Sequence, residues 1–295
     1  MERETLLVTL LTVFGGAAVH ALALLPHHTR SDPSPRVAER RAWRQIWLPL
    51  LPLEVLGAWL AGWVLREPDP VPDRVAPAIL MTAGLPFALV AVRAAARAIW
   101  AVVRAPRDLP IYTVGFFRPR IVFSPFLARR LEEGLVRAAW EHEQAHVRHR
   151  DPLRIWLAQI ATDLQWPWPA AHRRFAAWID LLECARDEEA RACGACGIDL
   201  AAAILAIVRM GLPPGAVPDG TAPGVGLIGR GEALRGRIAR LLSPLPESAG
   251  LPARPRFVPS ASWALGTAVL LIAGGAGAVC GERVLRPILA WTSAF

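Results

Sequence analysis

Apolar residues gather in four long runs, separated by stretches rich in arginine, proline and acidic residues. Leu6 to Leu25, Ile46 to Leu65 and Ala261 to Cys280 each match the ~20 apolar residues that span a hydrocarbon core. Val75 to Val92 is slightly shorter, and its apolar character continues past Arg93 and Arg97 to Val103. The pattern predicts a mainly α, polytopic membrane protein with four transmembrane helices (6–25, 46–65, 75–92/103 and 261–280). Met1-Glu-Arg-Glu lacks the positive front end of a secretory leader, so the first run is expected to be a retained helix.

The polar stretches set an expected orientation. Arg30, Arg36, Arg40, Arg41 and Arg44 lie between the first two runs, against Asp32 and Glu39. Only Arg66 and Arg74 lie between the second and third, whereas Arg93, Arg97, Arg104 and Arg107 follow the third. Positive loops stay in the cytoplasm. This places the N-terminus outside a cell membrane and the stretch from about Arg104 to Phe257 in the cytoplasm. The expected organisation is three spans over 1–103, a cytoplasmic domain over 104–257, and a fourth span with a short external tail over 258–295.

Within 104–257 the periodicity predicts a β-hairpin and several helices. Pro110 to Val114 and Arg120 to Phe123 are β-prone on either side of a Gly115–Pro119 turn. Ser124-Pro125 suits a helix start. Glu132 to Arg150 is strongly helical, and Asp151-Pro152 reads as the cap and first residue of a second helix. That helix ends at Trp166-Pro-Trp-Pro169. A third runs from Ala170 to Ala192, and a fourth from Leu200 to Met210 behind Asp199. A Gly/Pro-rich loop over 211–226 and a basic helix from Glu232 to Leu242 complete the segment. Trp156, Trp166, Trp168 and Trp178 suit either a core or a membrane–water interface.

Composition narrows the function. The 295 residues are 54% hydrophobic with a net charge of +8, and the basic residues are all arginine. A phosphate loop of the Walker type needs lysine, so that class of nucleotide enzyme is excluded. The basic excess sits beside the apolar runs, so no direct nucleic-acid partner is expected. Four cysteines do not make a disulfide scaffold, and Cys193-Gly-Ala-Cys196 reads as a turn, since a zinc ribbon needs a second such pair.

The chemistry concentrates in His142-Glu-Gln-Ala-His146. Histidines four apart share a helix face, so both imidazoles can converge on one ion. Zinc favours nitrogen ligands, and a catalytic zinc takes three protein ligands with a fourth position open. Glu143 is too close to His142 to be an easy third ligand and is placed to act as base. His149 is seven residues beyond His142, roughly 10 Å along the helix axis, too far for the same ion. Glu183 and Asp187, four apart on the third helix, are the better source. One carboxylate can bind the metal, and the other can accept a hydrogen bond from a ligand histidine.

Gly115-Phe-Phe-Arg-Pro-Arg-Ile-Val122, His142-Glu-Gln-Ala-His-Val-Arg-His-Arg-Asp151 and Glu183-x-x-x-Asp187 together resemble membrane zinc metallopeptidases of the BlaR/MecR type. These are gluzincins that act as beta-lactam sensor-transducers; the HtpX/Ste-type membrane proteases share the last two motifs more distantly. Arg237-Ile238 resembles a further family position. The resemblance covers roughly Arg107 to Leu242. It implies a mostly helical zincin-type domain with a minor β-hairpin, and one Zn2+ per chain held by His142, His146 and Glu183. It further implies Glu143 as catalytic base and Asp187 beside a ligand histidine. The expected partners are the lipid bilayer and a protein or peptide substrate, with a transcriptional repressor as one candidate. Only Gly281 to Phe295 follow the fourth apolar run, too few for a penicillin-binding sensor, so direct beta-lactam sensing is not expected. Quality control or processing of membrane proteins is the alternative, as is a non-catalytic zinc-bearing scaffold. A transporter has thin support, because arginines flank the runs and His20 is the main ionisable residue within one.

Overall fold

The computed structural model describes residues 34–66, 77–103, 111–123, 129, 131–166, 168–209, 231–244 and 261–292. The expected first span (6–25), the Ser124-Pro125 helix start and the 211–226 loop lie outside them. The chain is mainly helical with one small antiparallel sheet. Its elements are α1 (Pro35–Trp47), a 3-10 turn (Leu48–Leu50), α2 (Leu51–Val64), α3 (Pro77–Val103), β1 (Ile111–Val114) and β2 (Arg120–Phe123). There follow α4 (Glu133–His149), α5 (Asp151–Asp163), α6 (Pro169–Ala192), α7 (Gly197–Arg209), α8 (Gly231–Leu242) and α9 (Ala261–Thr292).

The fold divides into two compact units. One takes in the described residues of 47–92 and 257–295; the other takes in those of 27–46 and 93–256. The arginine-rich stretch between the first two apolar runs therefore supplies a helix, α1, to the unit that carries the HExxH sequence. Pro35 suits the first turn of α1, where its missing N–H costs nothing. The second expected span is interrupted: Pro49 and Pro52 mark the 3-10 turn and the start of α2.

In the first unit α2 packs along α9. Glycines govern the approach. A methyl group on Gly277 would collide with the Trp59 carbonyl, and one on Gly62 with the Gly274 carbonyl. Among the described residues no single helix is long and apolar enough to cross a membrane. One bent pair, Pro35–Leu50 with Glu54–Trp63, meets length and composition together, and Gly266–Gly281 is a shorter apolar helix.

In the second unit α4 packs against α5, α6, α7 and both strands, while α8 lies on α6 and α7. The core between them is built from small residues, Ala138, Ala139, Ala190 and Ala203, filled out by Leu200 and Ile204. Alanine lets helix axes approach closely, which brings polar side chains on facing helices within bonding distance. The hairpin register pairs Ile111 with Phe123 and Val114 with Arg120. Gly115, at φ +98°, opens its turn, where a Cβ would lie 2.8 Å from the Arg118 carbonyl oxygen. Trp178 is fully buried against Trp43 and Phe175, so it belongs to the core. Trp156 donates from its indole to the Ala98 carbonyl at 3.1 Å and stacks on Phe116. The end of α3 is pinned to α5 by Arg93 and Arg97, which both bind the buried Asp163 at 3.0 Å.

Candidate metal centre

The centre is built on α4 and closed by α6. His142 and His146 stand one turn apart on α4, both wholly buried. Their Nε2 atoms are 3.0 Å apart. Glu183, from α6, brings Oε2 to 3.4 Å from His142 Nε2 and Oε1 to 3.7 Å from His146 Nε2. Zinc bonds of about 2.0–2.1 Å in a tetrahedron set ligand atoms roughly 3.3–3.4 Å apart. The three side chains thus fit a single zinc-sized cation, and they form the described group able to hold one.

The outer faces of the imidazoles explain why the inner nitrogens are free to bind. His142 Nδ1 lies 2.8 Å from Asp187 Oδ1, and His146 Nδ1 lies 2.8 Å from Asp151 Oδ2. A carboxylate accepts only, so each Nδ1 is placed to carry a proton, and each Nε2 is left facing the other and Glu183. With neither Nε2 protonated, two lone pairs and a carboxylate face one another. That arrangement is repulsive unless a cation sits among them.

Without a metal, a proton takes part of that role. Burial works against a charged His142, but Asp187 and Glu183 outweigh it and raise its pKa to about 9. Metal must therefore displace a proton at neutral pH. Burial also works against ionised Glu183, yet Arg237 and the two histidines hold its carboxyl below the usual range. Asp187 behaves likewise: burial is overcome by Arg237 and His142.

Arg237, from α8, fixes both acids. Its Nε and Nη2 donate to Asp187 at 2.8 and 2.9 Å, and its Nη1 lies 3.0 Å from Glu183 Oε2. Asp151 has a matching cation in Arg186, which donates from Nη2 at 2.9 Å. Each ligand histidine thus leans on a carboxylate that leans on a buried guanidinium. Comparison with protein-family models, with curated proteins and with solved structures returns no match.

Glu143 sits beside the pocket, fully buried on the next position of α4. Its Oε2 accepts a 2.6 Å hydrogen bond from the Thr113 hydroxyl on β1, and its Oε1 has no partner among the described residues. Burial pushes its carboxyl above the usual range, against the pull of His146, His142 and Thr113. A divalent cation nearby works in the opposite sense.

All five residues expected at the site, His142, Glu143, His146, Glu183 and Asp187, come together. His149 stands apart, with Nε2 2.7 Å from Glu189 Oε2. Cys193 and Cys196 are exposed and unpaired with each other. Asp151 is more than the expected helix cap. The cap position falls to Arg150, whose left-handed φ of 52° folds the chain back so that Asp151 reaches His146. Its spacing of five residues after His146 was the available signal. Thr113 and Arg186 left no comparable local signature.

Proposed function

We propose that this chain is an integral-membrane zinc-dependent endopeptidase that hydrolyses peptide bonds at the cytoplasmic face, in regulatory proteolysis with a signalling or antirepressor role. The observation that carries the peptidase reading is the free Oε1 of Glu143 beside a three-ligand pocket. A metal held only for structure takes four protein ligands and has no use for that carboxylate. The arginine-flanked apolar runs support the membrane setting and the cytoplasmic side.

When bound, zinc supplies a Lewis acid that lowers the pKa of water and polarises a carbonyl. His142, His146 and Glu183 hold it, leaving a position open for reactants. Glu143 accepts a proton from the attacking water at Oε1 and then delivers it to the departing amine. Thr113 holds the other oxygen, so the carboxylate stays in one rotamer through both transfers. Asp187 and Asp151 keep the imidazoles in the ligating tautomer, and Arg237 prevents Glu183 from swinging away. An extended peptide can align along a hairpin edge by strand addition.

The complete burial of both histidines favours a second reading, a zinc-bearing scaffold. Zinc content and casein cleavage by detergent-purified protein, wild type beside Glu143→Gln, decide between them. One zinc per chain in both, with cleavage lost about 10²–10⁴-fold in the variant, is the expected result. Zinc in both and cleavage in neither would leave the scaffold.

A further inference from the structure

Helix α1 carries a buried acid that the peptidase chemistry does not use. Glu39 is 4% exposed. It accepts from Arg154 Nη2 at 2.5 Å and from the Trp178 indole at 3.0 Å. Arg154 in turn donates from Nη1 to Asp151 Oδ1 at 3.1 Å, and Asp151 holds His146. The Arg154 guanidinium also lies over the rings of Trp43 at 4.8 Å and Trp178 at 5.7 Å. Trp43 belongs to α1 as well. An unbroken chain of contacts therefore runs from α1 through α5 to Nδ1 of His146, the nitrogen that faces away from the candidate metal pocket.

We infer that Glu39 and Arg154 are positioning residues for the metal centre, so that the seating of α1 sets how tightly His146 binds metal. The physical reason lies in the charge around Asp151. Two guanidiniums, Arg154 and Arg186, bear on one carboxylate. Glu39 offsets the first. Without Glu39 both cations draw on Asp151, its basicity falls, and it polarises the His146 imidazole less. A less basic imidazole is a weaker ligand. The start of α1 is also held by Arg36 and Ser34 on Glu188, at 3.2 and 3.3 Å.

Covalent continuity gives this relay a use. The residue after Ile46 begins the other compact unit. Glu39 and Trp43 both belong to α1, so a shift of this helix moves them together and changes the support of Asp151 with no change in the ligands themselves. This consequence for cleavage rests on the peptidase reading; the effect on metal binding does not.

The test uses full-length protein in detergent, loaded with Co2+ in place of zinc, and compares affinity by chelator competition and the visible absorption band. Glu39→Gln and Arg154→Lys are each expected to weaken Co2+ binding about tenfold, the low end for groups behind a ligand, and to shift the band. Lysine keeps the charge of Arg154 but cannot bridge two carboxylates, so it serves if Glu39→Gln does not fold. Arg36→Gln removes a contact to Glu188 that lies outside the Glu39–Arg154–Asp151 chain, and it is expected to leave both readouts unchanged. Unaltered affinity and band in Glu39→Gln and Arg154→Lys would overturn the inference. So would equal losses in all three variants that track their melting temperatures, which would make α1 simply structural. A wild type that binds no Co2+ removes the inference and the centre together. A wild type that binds zinc without cleaving sinks only the peptidase reading.

Discussion

The two compact units are held together by different physics. Around the metal centre, α4, α5, α6 and α8 meet through buried charges, and Asp151, Asp187 and Glu183 each face a guanidinium. Between α2 and α9 the contact is made by Gly62, Gly274 and Gly277, with backbone against backbone. Buried ion pairs are poor sources of net stability, because desolvation offsets the attraction. They are good at fixing position, since breaking one pair costs about 3–5 kcal/mol. Close glycine packing gains dispersion contact without fixing any ionisable group. The first unit is joined by close backbone packing, whereas the second adds buried charge pairs that fix chemical groups to its alanine-rich core.

That contrast predicts which change each unit tolerates. The largest effect is expected from His146→Ala, which leaves two of the three candidate ligands. Zinc content measured by atomic absorption is expected to fall from one per chain to near zero, and retained zinc would show that the centre does not depend on this ligand. Next comes Thr113→Val, which keeps shape and removes the bond to Glu143. A kcat reduction of roughly tenfold with unchanged zinc content is expected, near the low end of the about 1.5–3 kcal/mol for a hydrogen bond to a charged group. Equal kcat would mean that packing alone orients the base.

Gly277→Ala sharpens the comparison from the other side. The added methyl meets the Trp59 carbonyl, and overpacking of this kind costs about 1–3 kcal/mol. Thermal unfolding in detergent is expected to shift down by a few degrees while zinc affinity stays at the wild-type value. Loss of zinc in this variant would break the division between the units. The smallest effect is expected from the double change Cys193→Ser and Cys196→Ser. Both thiols are exposed, and zinc content and cleavage are expected to match wild type. A drop in either would give the C-x-x-C a role.

Local periodicity made much of the metal-bearing unit legible. The helix expected over 132–150 runs Glu133–His149, and the strands expected at 110–114 and 120–123 appear as Ile111–Val114 and Arg120–Phe123. His142 with His146, and Glu183 with Asp187, were readable because spacing by four places side chains on one helix face. Contacts across long sequence separations were not readable. Glu39 meets Arg154 from 115 residues away, and its stretch looked like a charged loop between spans. Its arginines suggested solvent, whereas the helix buries the one acid among them. Arg237 was marked by resemblance alone, and its grip on Asp187 and Glu183 depends on how α8 packs, which no periodicity encodes.

The left-handed turn at Arg150 has a consequence for the order of assembly. It places His142, His146 and Asp151 inside the single stretch 142–151, so two of the three candidate ligands, with the acid behind one of them, come together with little loop entropy. Glu183 and Arg237 come from further along the chain and must dock across helices. Both imidazoles of the candidate centre thus precede its acid in order of synthesis, and closure of the pocket awaits α6 and α8.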